Sequence, residues 1–320
     1  GCSTLNVPTI KLNDGRDIPA LALGTALGNN SQGRIQPTGE EVVEAVSWAL
    51  GAGYRHIDTA YSYRVEDQVG RGIAKGVREG VVNRGEVFVT TKLWNTCHAR
   101  DAVVPALRKS LDNLNMEYVD LYLIHWPVGQ FENLTYDTTD YIETWHGMIE
   151  AKQLGLAKSI GVSNFNEEQM DRITQHGLET PAVLQVEINL NLQQPSLLAY
   201  CRTHKITVMG YTPFGSLFPS RAGPNAPPPR FDTPELVAIA ERHKKTVSQI
   251  ALRYLVELGG IPIPKSLTKA RIEENINIFD FSLTEEDKTL LRSYDKNYRV
   301  MPQYKWMDHP YYPFAKTEVV

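Results

Sequence analysis

The chain has 320 residues, 42% hydrophobic and 22% charged, with a net charge of −4, which are the proportions of an ordinary globular protein. The acidic balance argues against general binding to nucleic acid or to anionic membranes, whose phosphates are met by basic surfaces. No apolar run approaches the roughly 20 residues of a membrane span. Cys2, Cys97 and Cys201 cannot all pair and form no C-x-x-C, so free thiols and a cytoplasmic setting are expected. A secreted protein is the alternative if a signal preceded Gly1, and only then is the Asn133-Leu-Thr135 sequon usable.

Alternating Ile10 and Leu12, followed by Asn13-Asp14-Gly15, predict a hairpin over residues 9–19. Short apolar strands are then predicted at 20–24, 54–59, 87–93, 119–125, 159–162, 184–188, 206–211 and 260–263. Helices are predicted between them at 40–52, 66–79, 99–114, 142–154, 167–175, 195–204, 234–258 and 269–278, with a later one at 284–294. Thr38-Gly-Glu-Glu41 and Thr284-Glu-Glu-Asp287 read as capping boxes, and Gly80 and Gly155 as helix stops. Eight β–α alternations with continuously apolar strands imply parallel strands covered by helices. A closed (β/α)8 barrel with an N-terminal hairpin absorbs them all without leaving an edge. An open doubly wound sheet is the alternative, but no G-x-G-x-x-G follows an early strand.

Three stretches break the alternation: 127–140, the Pro- and Gly-rich 214–232, and the aromatic tail 295–320. The second reads as a long surface loop. One barrel domain over 1–320 is expected, its tail from about residue 295 folding over the mouth.

In such a barrel the carboxyl ends of the strands share one rim. The predicted strands end in Asp58 with Tyr63 just beyond, Lys92, His125, Ser163-Asn164, Tyr211 and Lys265-Ser266, while the strand over 184–188 carries Gln185. Polar groups repeated at one end of apolar strands are poorly explained by packing, where an unpaired charge is costly. A phenol with an ordinary pKa of about 10 donates poorly at neutral pH, and a lysine beside it favours the phenolate. Asp58 keeps Lys92 charged, His125 orients a substrate oxygen, and Tyr63 protonates it as hydride reaches carbon. Lys265, Ser266 and Arg271 around a helix start form an anion site. No H-E-x-x-H or paired His/Cys spacing suggests a metal, and His98, His146, His176, His204, His243 and His309 read as surface or capping residues.

The motifs His56-Ile-Asp-Thr-Ala-Tyr-Ser-Tyr63, Thr91-Lys-Leu-Trp94, Asp120-Leu-Tyr-Leu-Ile-His-Trp-Pro127, Gly161-Val-Ser-Asn-Phe165 and Ile263-Pro-Lys-Ser266 resemble, in order, those of the aldo-keto reductase family. The resemblance runs from about Thr9 to Phe281. It implies NADPH bound in extended form and Asp58, Tyr63, Lys92 and His125 as catalytic tetrad. It also implies Ser163, Asn164 and Gln185 at the carboxamide, Tyr211 under the nicotinamide, and Thr212, Pro213, Phe214 and Ser216 around the pyrophosphate. Gly24 and Thr25 line the cofactor, Lys265, Ser266 and Arg271 take the 2′-phosphate, and Glu274 and Asn275 take the adenine side.

Ala26 stands where many relatives carry tryptophan, so one pocket wall is expected to be more open, with Trp94 and Trp126, and Trp306 or Tyr304 of the tail, as the others. The chain is also similar to insect members that reduce 3-dehydroecdysteroids, so a hydrophobic aldehyde or steroid-type ketone is the expected small-molecule substrate. A monomer is the expected state. The alternatives are a nucleotide-binding regulatory or structural barrel without turnover, and a lysine-dependent aldolase acting through Lys92.

Overall fold

The computed structural model describes residues 7–315, so Cys2 and the last five tail residues lie outside the described part. Eight parallel strands form the barrel: β1 (Leu23–Gly24), β2 (His56–Asp58), β3 (Phe88–Leu93), β4 (Val119–Ile124), β5 (Ala157–Ser163), β6 (Val183–Glu187), β7 (Thr207–Tyr211) and β8 (Gly260–Pro262). They pair in chain order, each with the next. A parallel bridge from Gly24 to Lys265 closes the ring. The Gly24 N–H reinforces it by donating to Pro264 O at 2.9 Å. The ladder has no free edge, as a closed barrel requires.

Helices α1 (Glu41–Ala52), α2 (Glu66–Arg78), α3 (Val103–Leu114), α4 (Tyr141–Gln153), α5 (Glu167–Gln175), α6 (Pro195–Thr203), α7 (Pro234–His243), α8 (Val247–Glu257), α9 (Lys269–Asn275) and α10 (Glu285–Arg292) complete the set. Their apolar faces and the outward side chains of the strands form one large core, which includes Val46, Ile57, Leu107 and Ile160. Inside the barrel a smaller cluster packs Phe88, Leu121, Met209 and Ile261 against Leu12 and Ile18. These last two belong to the N-terminal hairpin, Thr9–Lys11 against Asp17–Pro19, which plugs the end away from the carboxyl rim. Full burial of a side chain such as Ile18 contributes about 1.5–3 kcal/mol. Gly161 is required on β5, because a Cβ there would lie 2.4 Å from Val183 O on β6.

Several expected elements have different bounds. The helix expected over 234–258 is two helices, broken at Lys244 with φ 55°. Thr246 starts the second: its hydroxyl accepts from Gln249 N–H at 3.2 Å, and its own N–H donates to Gln249 Oε1 at 3.0 Å. The same reciprocal box forms at Thr284 and Asp287. Thr38, in contrast, caps nothing; Glu40 precedes α1, and Glu41 Oε2 accepts from Thr38 N–H at 2.9 Å. Gly80 and Gly155 both follow helices with left-handed backbone, φ 73° and 76°.

His98 and His309, read as surface or capping residues, are both wholly buried. His309 Nε2 lies 2.9 Å from Asp137 O, so it ties the tail to the 127–140 loop. His56, on β2, is a satisfied core histidine: Nε2 lies 2.9 Å from Thr90 Oγ1, and burial pushes its pKa to about 3.

Glu187 holds the tail onto β6. Its carboxylate, 1% exposed, accepts from the N–H groups of Val300 (2.9 Å) and Met301 (2.8 Å) and from Asn189 Nδ2 (3.0 Å). Glu187→Ala strands two part-buried amide donors, so up to about 1–3 kcal/mol of stability is lost for each that water does not reach. Trypsin should then cut first at Lys296, Arg299 and Lys305, which a time course on the folded protein reads. An unchanged cleavage order places the anchor elsewhere.

Candidate active site

β2 and β3 bring the central group together. Asp58 ends β2, beside Thr90 of β3, and Lys92 projects from the next-to-last position of β3. Lys92 is wholly buried, and each of its three N–H donors has a partner. Nζ donates to Asp58 Oδ1 at 2.7 Å, to the Thr59 carbonyl at 2.9 Å and to Tyr63 Oη at 3.1 Å. Tyr63 comes from a single 3-10 turn, Tyr61–Tyr63, immediately after β2. Gln185 on β6 donates to the second Asp58 oxygen at 2.8 Å, and Thr25 Oγ1 donates to the Asp58 carbonyl at 2.9 Å.

The electrostatics follow from this wiring. Burial disfavours the charged Lys92, but Asp58 and Tyr63 outweigh it and leave the ammonium pKa above its ordinary value. A protonated amine cannot attack a carbonyl, and a raised pKa keeps Lys92 in that form at neutral pH, which counts against the aldolase alternative. Burial also pushes the Tyr63 phenol above its ordinary value, and Lys92 only partly offsets this. That corrects the expectation from sequence, in which the lysine effect dominated. The phenol therefore carries its proton at neutral pH. Because its oxygen accepts from Lys92, its O–H remains available to a third group.

His125 follows β4, its ring edge-on to Tyr63 with centroids 5.8 Å apart and to Trp94 at 5.4 Å. Burial, then the charges of Lys92 and Arg34, hold its pKa well below the ordinary value, so the ring is neutral. Ser62 Oγ lies 3.5 Å from its Nδ1.

A second polar set lies beside the first. Ser163 Oγ donates to the Gln185 carbonyl at 2.9 Å, and Asn164 Nδ2 donates to the His125 carbonyl at 3.0 Å. Tyr211 Oη, at the end of β7, donates to Asn164 Oδ1 at 2.6 Å. The chain then turns through Thr212, Pro213 and Phe214 to Gly215, at φ 51°, where a Cβ would lie 2.7 Å from Asn189 Cγ. Ser216 is 2% exposed, yet its hydroxyl has no partner. Lys265 stands at the barrel seam opposite Gly24. Its surroundings and the charges of Arg221 and Arg34 push its pKa down to about 8, although contact with solvent screens part of that effect. Ser266 caps its own turn through Thr268 N–H at 3.0 Å, Arg271 is exposed on α9, Glu274 is half-buried and Asn275 is buried.

The walls are aromatic. Trp306 is 4% exposed and packs on Trp126 (5.0 Å between centroids) and Trp94 (6.1 Å). Tyr304, at the start of the same turn, is 37% exposed. Sequence reasoning missed Arg34, whose guanidinium lies 5.2 Å from the Tyr63 ring centroid. Turn signals at Asn29-Asn30 and Gly33 mark the short ladder that carries it, but nothing in them gives its direction. Among the described residues no group of three or more His, Cys, Asp or Glu is placed to hold a metal, and no helix is long and apolar enough to cross a membrane.

An eight-stranded barrel with a Tyr–Lys–Asp set on its carboxyl rim is the frame of a carbonyl-reducing oxidoreductase. The chain belongs to the Aldo/keto reductase family, whose profile matches residues 20–296. It is 50% identical over 309 residues to aldo-keto reductase AKR2E4 of Bombyx mori, covering 97% of this chain and 99% of that protein. The crystal structure of that reductase in complex with NADP gives a TM-score of 0.92 over 97% of this chain and 99% of that one. Aldo-keto reductase AKR2E5 complexed with NADPH is 43% identical, with a TM-score of 0.94 over 97% and 94% of the two chains. Prostaglandin F synthase 1 of Bos taurus is 38% identical over 96% of this chain and 97% of its own length. Family membership makes the chain an NADPH-dependent oxidoreductase.

The side chains present fit the cofactor of that family. Among the described residues the buried Ser216 hydroxyl has no partner beside the left-handed turn at Gly215, and Lys265, which feels the charge of Arg221, has no acid partner, nor has Arg221. A phosphate-bearing ligand is what such a set lacks.

Proposed function

We propose that the chain reduces the carbonyl of an apolar aldehyde or ketone, steroid-type ketones included, with Tyr63 as general acid. The observation that carries this reading is the Lys92 ammonium held between Asp58 Oδ1 at 2.7 Å and Tyr63 Oη at 3.1 Å. Bound NADPH supplies the hydride. Tyr63 donates its proton to the carbonyl oxygen as negative charge develops there, and Lys92, already hydrogen-bonded to the phenol oxygen, stabilises the phenolate left behind. Asp58 fixes Lys92 in place and keeps it charged, and neutral His125 directs the substrate oxygen toward Tyr63.

Ser163, Asn164 and Gln185 hold the carboxamide end of the cofactor, and Tyr211 supports the ring from below. Gly24, Thr25 and Thr212 to Ser216 line its middle, and Lys265, Ser266, Arg271, Glu274 and Asn275 take the adenosine phosphate end. The whole chain acts as one catalytic unit, with the tail after Asp295 closing the mouth. Support for this comes from Trp306 packed on Trp94 and Trp126 and from Glu187 anchoring Val300 and Met301.

The test is NADPH oxidation with a panel of aromatic aldehydes, aliphatic aldehydes and 3-oxosteroids. Reduction of apolar members supports the reading, and no turnover of any member removes it. If only small aldehydes react, the steroid assignment falls. For the cofactor, Lys265→Ala together with Arg271→Ala should weaken NADPH binding about 10- to 100-fold, the effect of losing charge-assisted hydrogen bonds. NADH binding should change little. Fluorescence titration of both nucleotides checks this, and equal losses would show that these residues do not read the 2′-phosphate.

A further inference from the structure

Arg34, whose charge helps to keep His125 neutral, has no binding role assigned so far. Gly28 to Ile35 fold back on themselves, Asn29–Asn30 against Gly33–Arg34, with Asn29 opposite Arg34. Gly33 turns the ladder at φ 111°, and the Ile35 N–H closes it on Gly28 O at 2.9 Å. The ladder sets the guanidinium 5.2 Å from the centroid of the Tyr63 ring, and that ring meets His125 edge-on, which in turn packs on Trp94.

The guanidinium is half-buried and, among the described residues, has no carboxylate partner. The neighbouring acids are engaged elsewhere. Asp58 is taken by Lys92 and Gln185, Glu66 by Thr91 and Asn113, Glu40 by Arg71, and Glu41 by Thr38. A second cation comes from the tail. Lys305 Nζ lies 4.8 Å from the Trp306 ring centroid, on the turn that supplies the aromatic wall, and it too lacks an acid. Lys305 is itself exposed, and partial desolvation, then the charge of Arg34, hold its ammonium below its ordinary value. Lys305 feels the charge of Arg34, each cation stands against an aromatic ring of this site, and with no acid between them they are relieved when an anion enters. The planar guanidinium suits a carboxylate, which it can bind through two parallel hydrogen bonds.

We propose that Arg34, with Lys305 of the tail, forms an anion subsite in the substrate pocket, and that the preferred carbonyl substrates carry a carboxylate on an apolar body. This rests on the reductase reading and names the substrate class of that site. A cofactor phosphate is the competing source of anion, because Lys265 also feels the charge of Arg34. Arg34 lies 5.2 Å from the centroid of the Tyr63 ring, however, and a carbonyl that takes the Tyr63 proton must lie beside that same side chain.

The experiment compares para-formylbenzoate with its methyl ester, a neutral near-isostere, using the full chain and NADPH. Native protein should prefer the acid. Arg34→Gln should lower kcat/KM for the acid about 10- to 100-fold, the effect of losing a charge-assisted pair, and for the ester less than about 3-fold. Lys305→Gln should lower the acid-to-ester ratio by a smaller factor, which keeps the idea testable if Arg34→Gln folds poorly. Calorimetric binding of naphthoate in the presence of NADP+ should weaken in Arg34→Gln and recover in part in Arg34→Lys. NADPH affinity, read by fluorescence, should stay within about 3-fold.

Equal losses on acid and ester, a native enzyme indifferent to the charge, or a matching loss of NADPH affinity would each overturn the subsite. Turnover of the ester with an unchanged acid-to-ester ratio in both variants removes the subsite alone. No turnover of either compound removes the reductase reading beneath it.

Discussion

Tyr63→Phe should bind NADPH as tightly as native protein and reduce carbonyl compounds about 10²- to 10⁴-fold more slowly, the range that a positioned general acid contributes. The substitution removes one oxygen that is bonded only to Lys92 Nζ, at 3.1 Å, and leaves the ring packed beside His125. Folding should therefore be almost untouched, because Lys92 keeps Asp58 and the Thr59 carbonyl as partners. The pH dependence of native protein carries the same information. Burial, only partly offset by Lys92, raises the phenol pKa, and reduction requires its protonated form. Reduction should then hold steady through neutrality and fall as pH rises through the phenol pKa, while oxidation of the alcohol should climb over the same interval. His125, held neutral by burial and two nearby cations, adds no step near its ordinary pKa. Stopped-flow hydride transfer at several pH values measures both limbs. A Tyr63→Phe enzyme with native rates would assign the proton to another group.

How much of this was legible in the sequence depends on whether a residue owes its position to a strand or to a loop. Asp58, Lys92, His125, Ser163 and Tyr211 sit at or beside the ends of β2 to β5 and β7, with Gln185 inside β6, and the barrel alone brings such ends to one rim. Reading the strand ends was therefore enough to gather them. Helix ends were legible where side chain and backbone agree, as at Thr284, and were misread where a second cap was overlooked, as at Thr246. Thr246-x-x-Gln249 is a capping signature, and weighing it would have split the helix expected over 234–258.

Arg34 could not be found in this way. Its direction depends on the register of a two-residue ladder and on Gly33 at a positive φ, and neither leaves a periodic trace. His98 and His309 were misread for a related reason. The 127–140 loop and the tail meet around them, and contact between two irregular segments has no sequence pattern. Glu187 was legible as a strand residue, but not as the acceptor for two amides more than a hundred residues away.

Lys92→Met should cost more than activity. It removes the partner of a carboxylate that is 2% exposed and leaves Asp58 with only the Gln185 amide on its side chain. Breaking a buried ion pair from one side typically costs about 3–5 kcal/mol, because the remaining charge stays desolvated. Reduction should fall as well, since nothing then stabilises the phenolate, and the alkaline limb should move to higher pH because a cation that lowered the phenol pKa is gone. Stability and chemistry can be separated by adding Asp58→Asn. With both charges removed no ion is stranded, so most of the lost stability should return, whereas activity should stay low because the ammonium beside Tyr63 is still missing. Denaturant midpoints and single-turnover rates for the two single variants and the double variant complete the cycle. Recovery of rate along with stability would mean that Lys92 only holds the rim together. Stability restored without rate is the result expected if its charge acts on the phenol oxygen during proton transfer.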